Sequence, residues 1–319
     1  MARSVAPTVS IVILNWNGRD VLNMTLQSIK EHTIYAKAHL IVVDNGSVDG
    51  SVEMVRKNFP NVEVIEIGQN LGFSKGNNVG IQYTLEEHTP DYALLLNNDI
   101  EIETDGWLDT LVGVAESTNA GVCGCRLVYP DGETQFCGAT VDPAGSRLLS
   151  ASCPKQPNLL SSDEFIFGAC MLISTKTINQ VGYLDEGFSP YNWEEVDYCM
   201  RCHAAEIPMV YSPEPTLVHH ASKSKEGVPD KEHIFINKKN QLRFYLLNLS
   251  YSDLFARVPH ELANFKQATF GTEEYEHIDS FIQRLLIFFG AYWNVIQNFS
   301  DIVSKRLDRT ARIMPEEQI

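Results

Sequence analysis

The carboxylates and imidazoles that could do chemistry in this chain fall in three short clusters, each placed at the end of an apolar run or the start of a helical one. Asn97-Asn98-Asp99 follows the apolar run Tyr92–Leu96. A carboxylate there, beside amides that hydrogen-bond ribose or phosphate, suits a divalent cation bridging a diphosphate. Mg2+ and Mn2+ take oxygen ligands and are usually held by one or two protein carboxylates plus substrate phosphates. The same three residues also make a good turn. Trp193-Glu194-Glu195-Val196-Asp197 opens a helical pattern. Acid in a first turn offsets the helix dipole. Carboxylates this close also raise one another's pKa, which suits a general base for a hydroxyl. Val218-His219-His220 closes the short strand that begins at Thr216. A neutral imidazole there can complete a metal site, although a histidine is more often structural or exposed.

Alternating strands and helices place these clusters. Ser10–Asn15, Leu40–Val43, Val62–Ile67 and Tyr92–Leu96 read as strands, separated by helical patterns over Val21–Ile29, Ser51–Lys57 and Asn77–Leu85. Continuous apolar strands alternating with helices predict an α/β fold with a mostly parallel sheet covered on both faces. Ligands bind such sheets beyond the carboxyl ends of the strands. Asn15-Trp16-Asn17-Gly18, Asp44-Asn45-Gly46 and Asn97-Asn98-Asp99 all lie there.

Beyond Gly121 the pattern turns to short strands, with a turn at Tyr129-Pro130-Asp131-Gly132 and one apolar strand over Glu164–Ser174. Helices are expected over Glu194–Ala205, His233–Leu247 and Phe281–Leu307. The pattern divides the chain into an α/β part at 1–120, a part of short strands and helices at 121–250, and a helical extension at 251–319. In the last helix Phe281, Leu285, Phe288, Tyr292, Val295 or Ile296, and Phe299 share a face, ahead of Lys305, Arg306, Arg309 and Arg312. That face admits two readings, an anionic membrane surface or a core or homodimer contact. Its apolar run is too short to span a bilayer.

The net charge is −16, from 25 basic and 41 acidic residues. Such a chain repels nucleic-acid backbones, so no nucleic-acid partner is expected. One diphosphate remains manageable through a metal ion. The start of the chain carries no long apolar leader, which makes the cytoplasm the expected compartment, with a peripheral seat on the inner membrane face open. Seven cysteines, an odd number, are accordingly read as reduced. Cys199-Met-Arg-Cys202-His203 matches a haem-attachment pattern, but its place inside a helix favours buried or surface thiols. No dinucleotide or P-loop glycine pattern is present, which removes support from dehydrogenase and P-loop readings.

Taken in order, the motifs resemble glycosyltransferase family 2, especially its rhamnosyltransferase-like members. Ser10–Gly18 is similar to that family's opening strand and loop, and Val42–Ser51 to its nucleotide-base loop. Asn70-Leu-Gly-Phe-Ser-Lys-Gly-Asn-Asn78 resembles a further family segment, and Leu94–Asp99 stands where the family has an Asp-x-Asp metal motif. Gly168–Ile173, Val181–Glu186, Trp193–Asp197 and His219-His220 follow in family order.

The resemblance implies a GT-A fold with a nucleotide-sugar half at 1–120 and an acceptor and catalytic half at 121–250, a Mg2+ or Mn2+ ion, and inverting transfer from a nucleoside-diphosphate sugar to a saccharide or lipid-linked acceptor. dTDP-rhamnose and UDP-sugars both fit as donors. It places Asp44, Asn15 and Asn17 at the base and ribose, with Asn70 and Asn77 bordering nucleotide and sugar. Asn97 and Asn98 face the ribose and phosphates, and Asp99 and His219 hold the metal. Trp193, Asp197 and His220 fall on the acceptor side. The family usually has Glu-Asp or Asp-Asp where this chain has Glu194-Glu195. The second position holds the base, so Glu195 is the expected base and Glu194 its substitute. The extra methylene shifts the carboxylate by about one bond length, a misplacement that can cost on the order of 100-fold in rate. A sugar nucleotidyltransferase, or a non-catalytic sugar-nucleotide binder disabled at Asn97 and Glu195, are the alternative readings.

Overall fold

A computed structural model describes residues 6–141, 147–149, 153–220, 231–272 and 275–313. The first half alternates β1 (Val9–Asn15), α1 (Arg19–His32), β2 (Ala38–Asp44), α2 (Ser51–Asn58), β3 (Glu63–Glu66), α3 (Phe73–Glu87) and β4 (Tyr92–Asn97). Then come β5 (Ile100–Glu101), α4 (Trp107–Thr118), β6 (Val122–Val128), β7 (Thr134–Phe136), β8 (Ala139–Val141), β9 (Arg147–Leu149), β10 (Asn158–Leu159), β11 (Glu164–Phe165) and β12 (Cys170–Ser174). The rest is α5 (Thr175–Val181), α6 (Glu194–Ala204), β13 (Met209–His219), α7 (Lys231–Asn248), α8 (Tyr251–Ala256), α9 (Val258–Phe270), α10 (Phe281–Gln297) and α11 (Phe299–Ile313).

The described residues form two units, the first from Met1–Thr140, Leu148–Ser189 and Glu194–Ala221. Its main sheet has the order β10-β13-β6-β12-β4-β1-β2-β3 and is mixed. Parallel pairing runs through β4, β1, β2 and β3, as expected for strands whose Ile11, Val12, Ile13, Ile41, Val43, Leu94 and Leu95 are all buried. Glycine lets α3 lie close on that sheet, because a Cβ at Gly80 would sit 2.4 Å from Val12 Cγ1.

Register decides what gathers at the carboxyl edge. Asn15 pairs with Asp44 across β1 and β2, and Leu14 with Asn97 across β1 and β4. On the far side β12 enters antiparallel to β4, and β13 runs parallel to β6. The end of β13 crosses to the short β5, with His219 opposite Ile100. That pairing carries His219 over about 120 positions of sequence to the residue beside Asp99.

Three expectations need correction. Glu164–Ser174 is two strands, β11 and β12, interrupted at residues 166–169, where the chain loops instead of pairing. The helix expected over Phe281–Leu307 is two helices that break at Asn298, whose side chain bonds back to the Asn294 carbonyl. The cysteines are not all reduced: Cys137 and Cys153 form a disulfide. An odd count says nothing about which thiols meet, and the excursion through β8 and β9 returns the chain so that their Cα atoms lie 5.2 Å apart. The other five are buried, and burial pushes the Cys202 thiol up to about 12, which suits inert packing and not haem attachment.

The second unit comprises Val141–Arg147, Pro190–Trp193 and Ser222–Ile319. Ile234, Ala268, Tyr275, Ile278, Ile287 and Phe288 form its apolar centre. A buried ion pair joins Lys238 Nζ to Glu261 Oε2 at 2.8 Å. Trp193 is buried here, its Nε1 donating to Asn237 Oδ1 (2.9 Å) and its ring lying 5.0 Å from that of Phe244. Of the basic residues at the end of the chain, Arg306 donates to the Leu246 and Leu249 carbonyls and Arg309 to Asn248 Oδ1. The side chain of Arg312 lies outside the described residues. Among the described residues no helix is long and apolar enough to cross a membrane.

Candidate active site

Every polar cluster at the sheet's carboxyl edge belongs to the first unit, with Asn15, Asp44 and Asn45 buried, Asn97, Asn98 and Asp99 half-buried, and Asn17 exposed. Asn15, with no exposed surface, accepts from Asn98 Nδ2 at 2.8 Å and donates to Ser47 Oγ at 3.2 Å. Ser47 Oγ also accepts the Asn17 backbone N–H, while the Ser47 N–H donates to Asp44 Oδ2. Asn17 holds a left-handed backbone (φ 50°) and accepts the Val48 N–H through Oδ1. The strand ends β1, β2 and β4 are thus cross-linked through Asn15. Asp44 Oδ1 is buried and receives no hydrogen bond among the described residues. A buried acceptor left in that state calls for a donor from a ligand.

The neighbouring loop is held by amides. Asn45 accepts the Leu71 N–H and donates to Asn70 Oδ1, which also accepts the Gly72 N–H. Asn77 caps back onto the Phe73 carbonyl, and Asn78 bonds both ways with the Leu184 backbone. Asn70 and Asn77 therefore shape the loop as much as they line it. Asn45, Ser47 and Asn78 were missed as positioning residues by sequence reasoning, because their bonds are long-range.

At the other side of the cluster, His219 Nε2 lies 3.1 Å from Asp99 Oδ1 and 3.3 Å from Asn97 Nδ2. His219 Nδ1 lies 2.6 Å from Gln135 Oε1, so an Nδ1–H donates there, while Nε2 accepts from the Asn97 amide with Asp99 Oδ1 beside it. Asp99 Oδ1 is buried and receives no conventional hydrogen bond among the described residues. Two acceptors this close, a carboxylate oxygen that receives no donor and an imidazole nitrogen, are repulsive unless a cation is shared between them. Ligands at about 2.1 Å on adjacent corners of an octahedron are about 3.0 Å apart, close to the observed separation. The residues present fit a hard divalent ion. Gln135, from β7, is a further residue that sequence reading missed; it fixes the tautomer, as carboxylates and amides behind metal-bound histidines commonly do.

The base candidates connect to this point through the loop that interrupts β11 and β12. Phe167 lies edge-on to the His219 ring at 6.2 Å, and Ala169 accepts the Asn97 N–H. Between them, a Cβ on Gly168 would be in ordinary contact, 3.5 Å from Glu195 Cβ and 3.6 Å from Phe73. Glu195 thus stands beside the same loop that touches Asn97 and His219. Glu194 and Glu195 are both buried in the first turn of α6.

The three residues expected on the acceptor side are engaged in packing contacts. Asp197 is fully buried and pairs with Arg201 Nε at 3.0 Å, while that guanidinium also donates to the Val181 and Tyr183 carbonyls. His220 turns to Glu101 at 2.6 Å and not to Asp99. Trp193 packs in the second unit, as described above.

Residues 10–176 match the family model described as Glycosyl transferase family 2. The low-salt glycan biosynthesis hexosyltransferase Agl10 of Haloferax volcanii is 28% identical over 256 residues, covering 79% of each chain. An N-acetylglucosaminyl-diphospho-decaprenol L-rhamnosyltransferase of Mycobacterium tuberculosis is 26% identical over 228 residues, 64% of this chain and 73% of the relative. An uncharacterized Sinorhizobium fredii protein is 29% identical over 70% of this chain, which spans only 26% of that protein's length. Among solved structures, GalNAc-T7 with UDP, GalNAc and Mn2+ superposes with a TM-score of 0.60 at 15% identity, over 94% of this chain and 58% of that one. The mannosyltransferase PcManGT of Pyrobaculum calidifontis, with GDP-Man and Mn2+, gives 0.53 at 12% identity over 97% and 86%. These likenesses show the GT-A fold.

Proposed function

We propose that this chain, which belongs to glycosyl transferase family 2, transfers a sugar from a nucleoside diphosphate to an acceptor hydroxyl with inversion, using Glu195 as the base. The chain is a glycosyltransferase of glycan or polysaccharide biosynthesis; donor, stereochemistry and acceptor are our reading. The observation that carries it is the placement of Glu195 against the loop that also touches Asn97 and His219.

Asp44, with its buried Oδ1, accepts from the nucleobase or ribose, and Asn15 and Asn17 hold the loop that presents it. Asp99 and His219 would hold Mg2+ or Mn2+, and such an ion, when bound, offsets charge on the leaving diphosphate. Glu195 takes the acceptor proton as the hydroxyl oxygen forms a bond to the anomeric carbon. The bond from that carbon to the diphosphate oxygen breaks, and the nucleoside diphosphate leaves with the electron pair. One displacement inverts the centre. Burial of Glu194 and Glu195 keeps bulk water from competing with the acceptor hydroxyl. The rhamnosyltransferase relative supports a deoxyhexose donor such as dTDP-rhamnose and a lipid-linked saccharide acceptor.

A donor panel tests this directly. Purified protein, Mg2+ or Mn2+ and a set of sugar nucleotides are followed for nucleoside-diphosphate release with and without EDTA. Metal-dependent release from one donor, lost in Glu195→Gln, is the expected result. Tight donor binding with no release, even with lipid-linked saccharide supplied, overturns the catalytic reading in favour of a binder.

A further inference from the structure

A second group of metal-ligating side chains lies at the opposite end of the same strands. His39 stands near the start of β2, Glu63 opens β3, and His88 caps the carboxyl end of α3. Glu63 pairs with Ile41, two residues along from His39, so parallel pairing and strand alternation put both side chains on one face of the sheet. The end of α3 delivers His88 onto that face. One potential ligand atom from each residue lies within 4.8 Å of the others.

The geometry within the group is organised. The His39 and His88 rings stack at 4.2 Å with 17° between their planes. His88 Nε2 lies 2.9 Å from Glu63 Oε1, yet that nitrogen is buried and makes no well-formed hydrogen bond with it. The other carboxylate oxygen, Glu63 Oε2, accepts from the Tyr83 hydroxyl at 2.6 Å. That hydrogen bond holds the carboxylate in place. Face-to-face rings carry their in-plane lone pairs side by side, so one imidazole must turn about its Cβ–Cγ bond for both to reach a shared ion.

Two imidazole nitrogens and one carboxylate oxygen are a donor set that suits Zn2+ and its neighbours, with a fourth position left for water. The set differs from the harder Asp99 and His219 pair in composition and in place. Five residues of β2 separate His39 from Asp44, about 17 Å at the strand rise.

We propose that His39, Glu63 and His88 form a zinc-type site that ties the end of α3 to β2 and β3. The site is independent of the transferase reading and survives its failure. Nothing in the spacing of 39, 63 and 88 marks it in the sequence, since three separate elements supply one ligand each.

The test uses untagged, chelator-stripped full-length protein titrated with Zn2+ by calorimetry in the presence of excess Mg2+, alongside thermal unfolding. Expected are one Zn2+ per chain, a raised midpoint of unfolding, and Co2+ absorption bands of low-coordinate geometry. Glu63→Gln and His88→Ala should each weaken Zn2+ binding by at least about tenfold, and Tyr83→Phe by about tenfold as an outer-shell partner. His219→Ala should leave this binding intact. Circular dichroism of the metal-free variants checks that they fold. Absence of stoichiometric binding, or binding that survives Glu63→Gln and His88→Ala but is lost in His219→Ala, overturns the proposal.

Discussion

The carboxyl edge of the sheet and the C-terminal helices invert the usual distribution of polar and apolar groups in opposite ways. At the sheet edge Asn15, Asp44, Asn77, Glu194, Glu195 and His219 are buried. On the helices Phe255, Phe270, Ile282, Leu286, Phe289 and Trp293 are exposed, Leu286 by 67% and Trp293 by 60%. Charge divides along the same line. Residues 222–319 carry as many basic as acidic side chains, so the whole net charge of −16 belongs to the part that holds the site. Buried polar groups are costly unless a partner satisfies them, and exposed apolar patches mark contact with another surface. The first region thus has the character of a ligand site as proposed, and the second presents apolar side chains to its surroundings. Two of the basic residues that could meet anionic lipid, Arg306 and Arg309, are engaged within the helical unit.

The contrast breaks most sharply at the base. Glu195→Gln should lower sugar transfer about 1,000-fold while donor affinity, read by calorimetry, changes little, because a general base acts on the acceptor proton. A fall of less than tenfold would move the role to Glu194, testable in Glu194→Gln.

The helical unit contains a buried ion pair, and its loss is the next largest effect. Lys238→Ala should destabilise the protein by about 1–2 kcal/mol, since it leaves the half-buried Glu261 without its cation. Burial alone would raise the Glu261 carboxyl, but the Lys238 ammonium and the hydrogen bonds from Lys238, Tyr292 and Asn264 outweigh it and hold it below the usual range. A depressed folded value contributes stability that is present above the unfolded carboxyl value of about 4.3 and is lost as pH falls through the folded one. Stability in that acid window should fall steeply with pH for the wild type and much less for the pair Lys238→Met with Glu261→Leu, as read by thermal unfolding.

Behind His219, the proposed metal ligand, Gln135→Ala should weaken activation by Mg2+ or Mn2+ by about 10- to 100-fold, read as the metal concentration for half-maximal release. Excess metal should restore turnover, which a collapsed site would not permit. The smallest effect is expected on the exposed helices. Leu286→Gln with Trp293→Gln should shift stability by less than about 1 kcal/mol and leave donor turnover within about twofold, because neither side chain is buried. A large loss of turnover would show that the apolar surface takes part in acceptor use.

Much of this architecture is legible in the chain. Alternating apolar strands and helical stretches from Ser10 to Leu96 predict a sheet with polar residues at its carboxyl edge, and the ordered motifs point to the family. Local patterning can do this because each strand and helix carries its own period. The interruption at residues 166–169 and the break at Asn298 are hidden, since the flanking residues are largely apolar and a hydrophobic run does not show where pairing stops.

Residue types and order determined the parallel core, the carboxylates at Asp99 and Glu195 and the histidine at His219. Tertiary structure alone decided their neighbours. The antiparallel crossing of β13 onto β5 sets His219 beside Asp99, β7 brings Gln135 behind it, and the loop through Gly168 sets Glu195 against the same point. It also chose Cys137 and Cys153 from seven cysteines, and it drew Asp197 inward to Arg201. The physical reason is common to all of these. Periodicity and composition are local properties of the chain, whereas a site is made of contacts between residues far apart in sequence, and those are fixed only when register and packing close the fold.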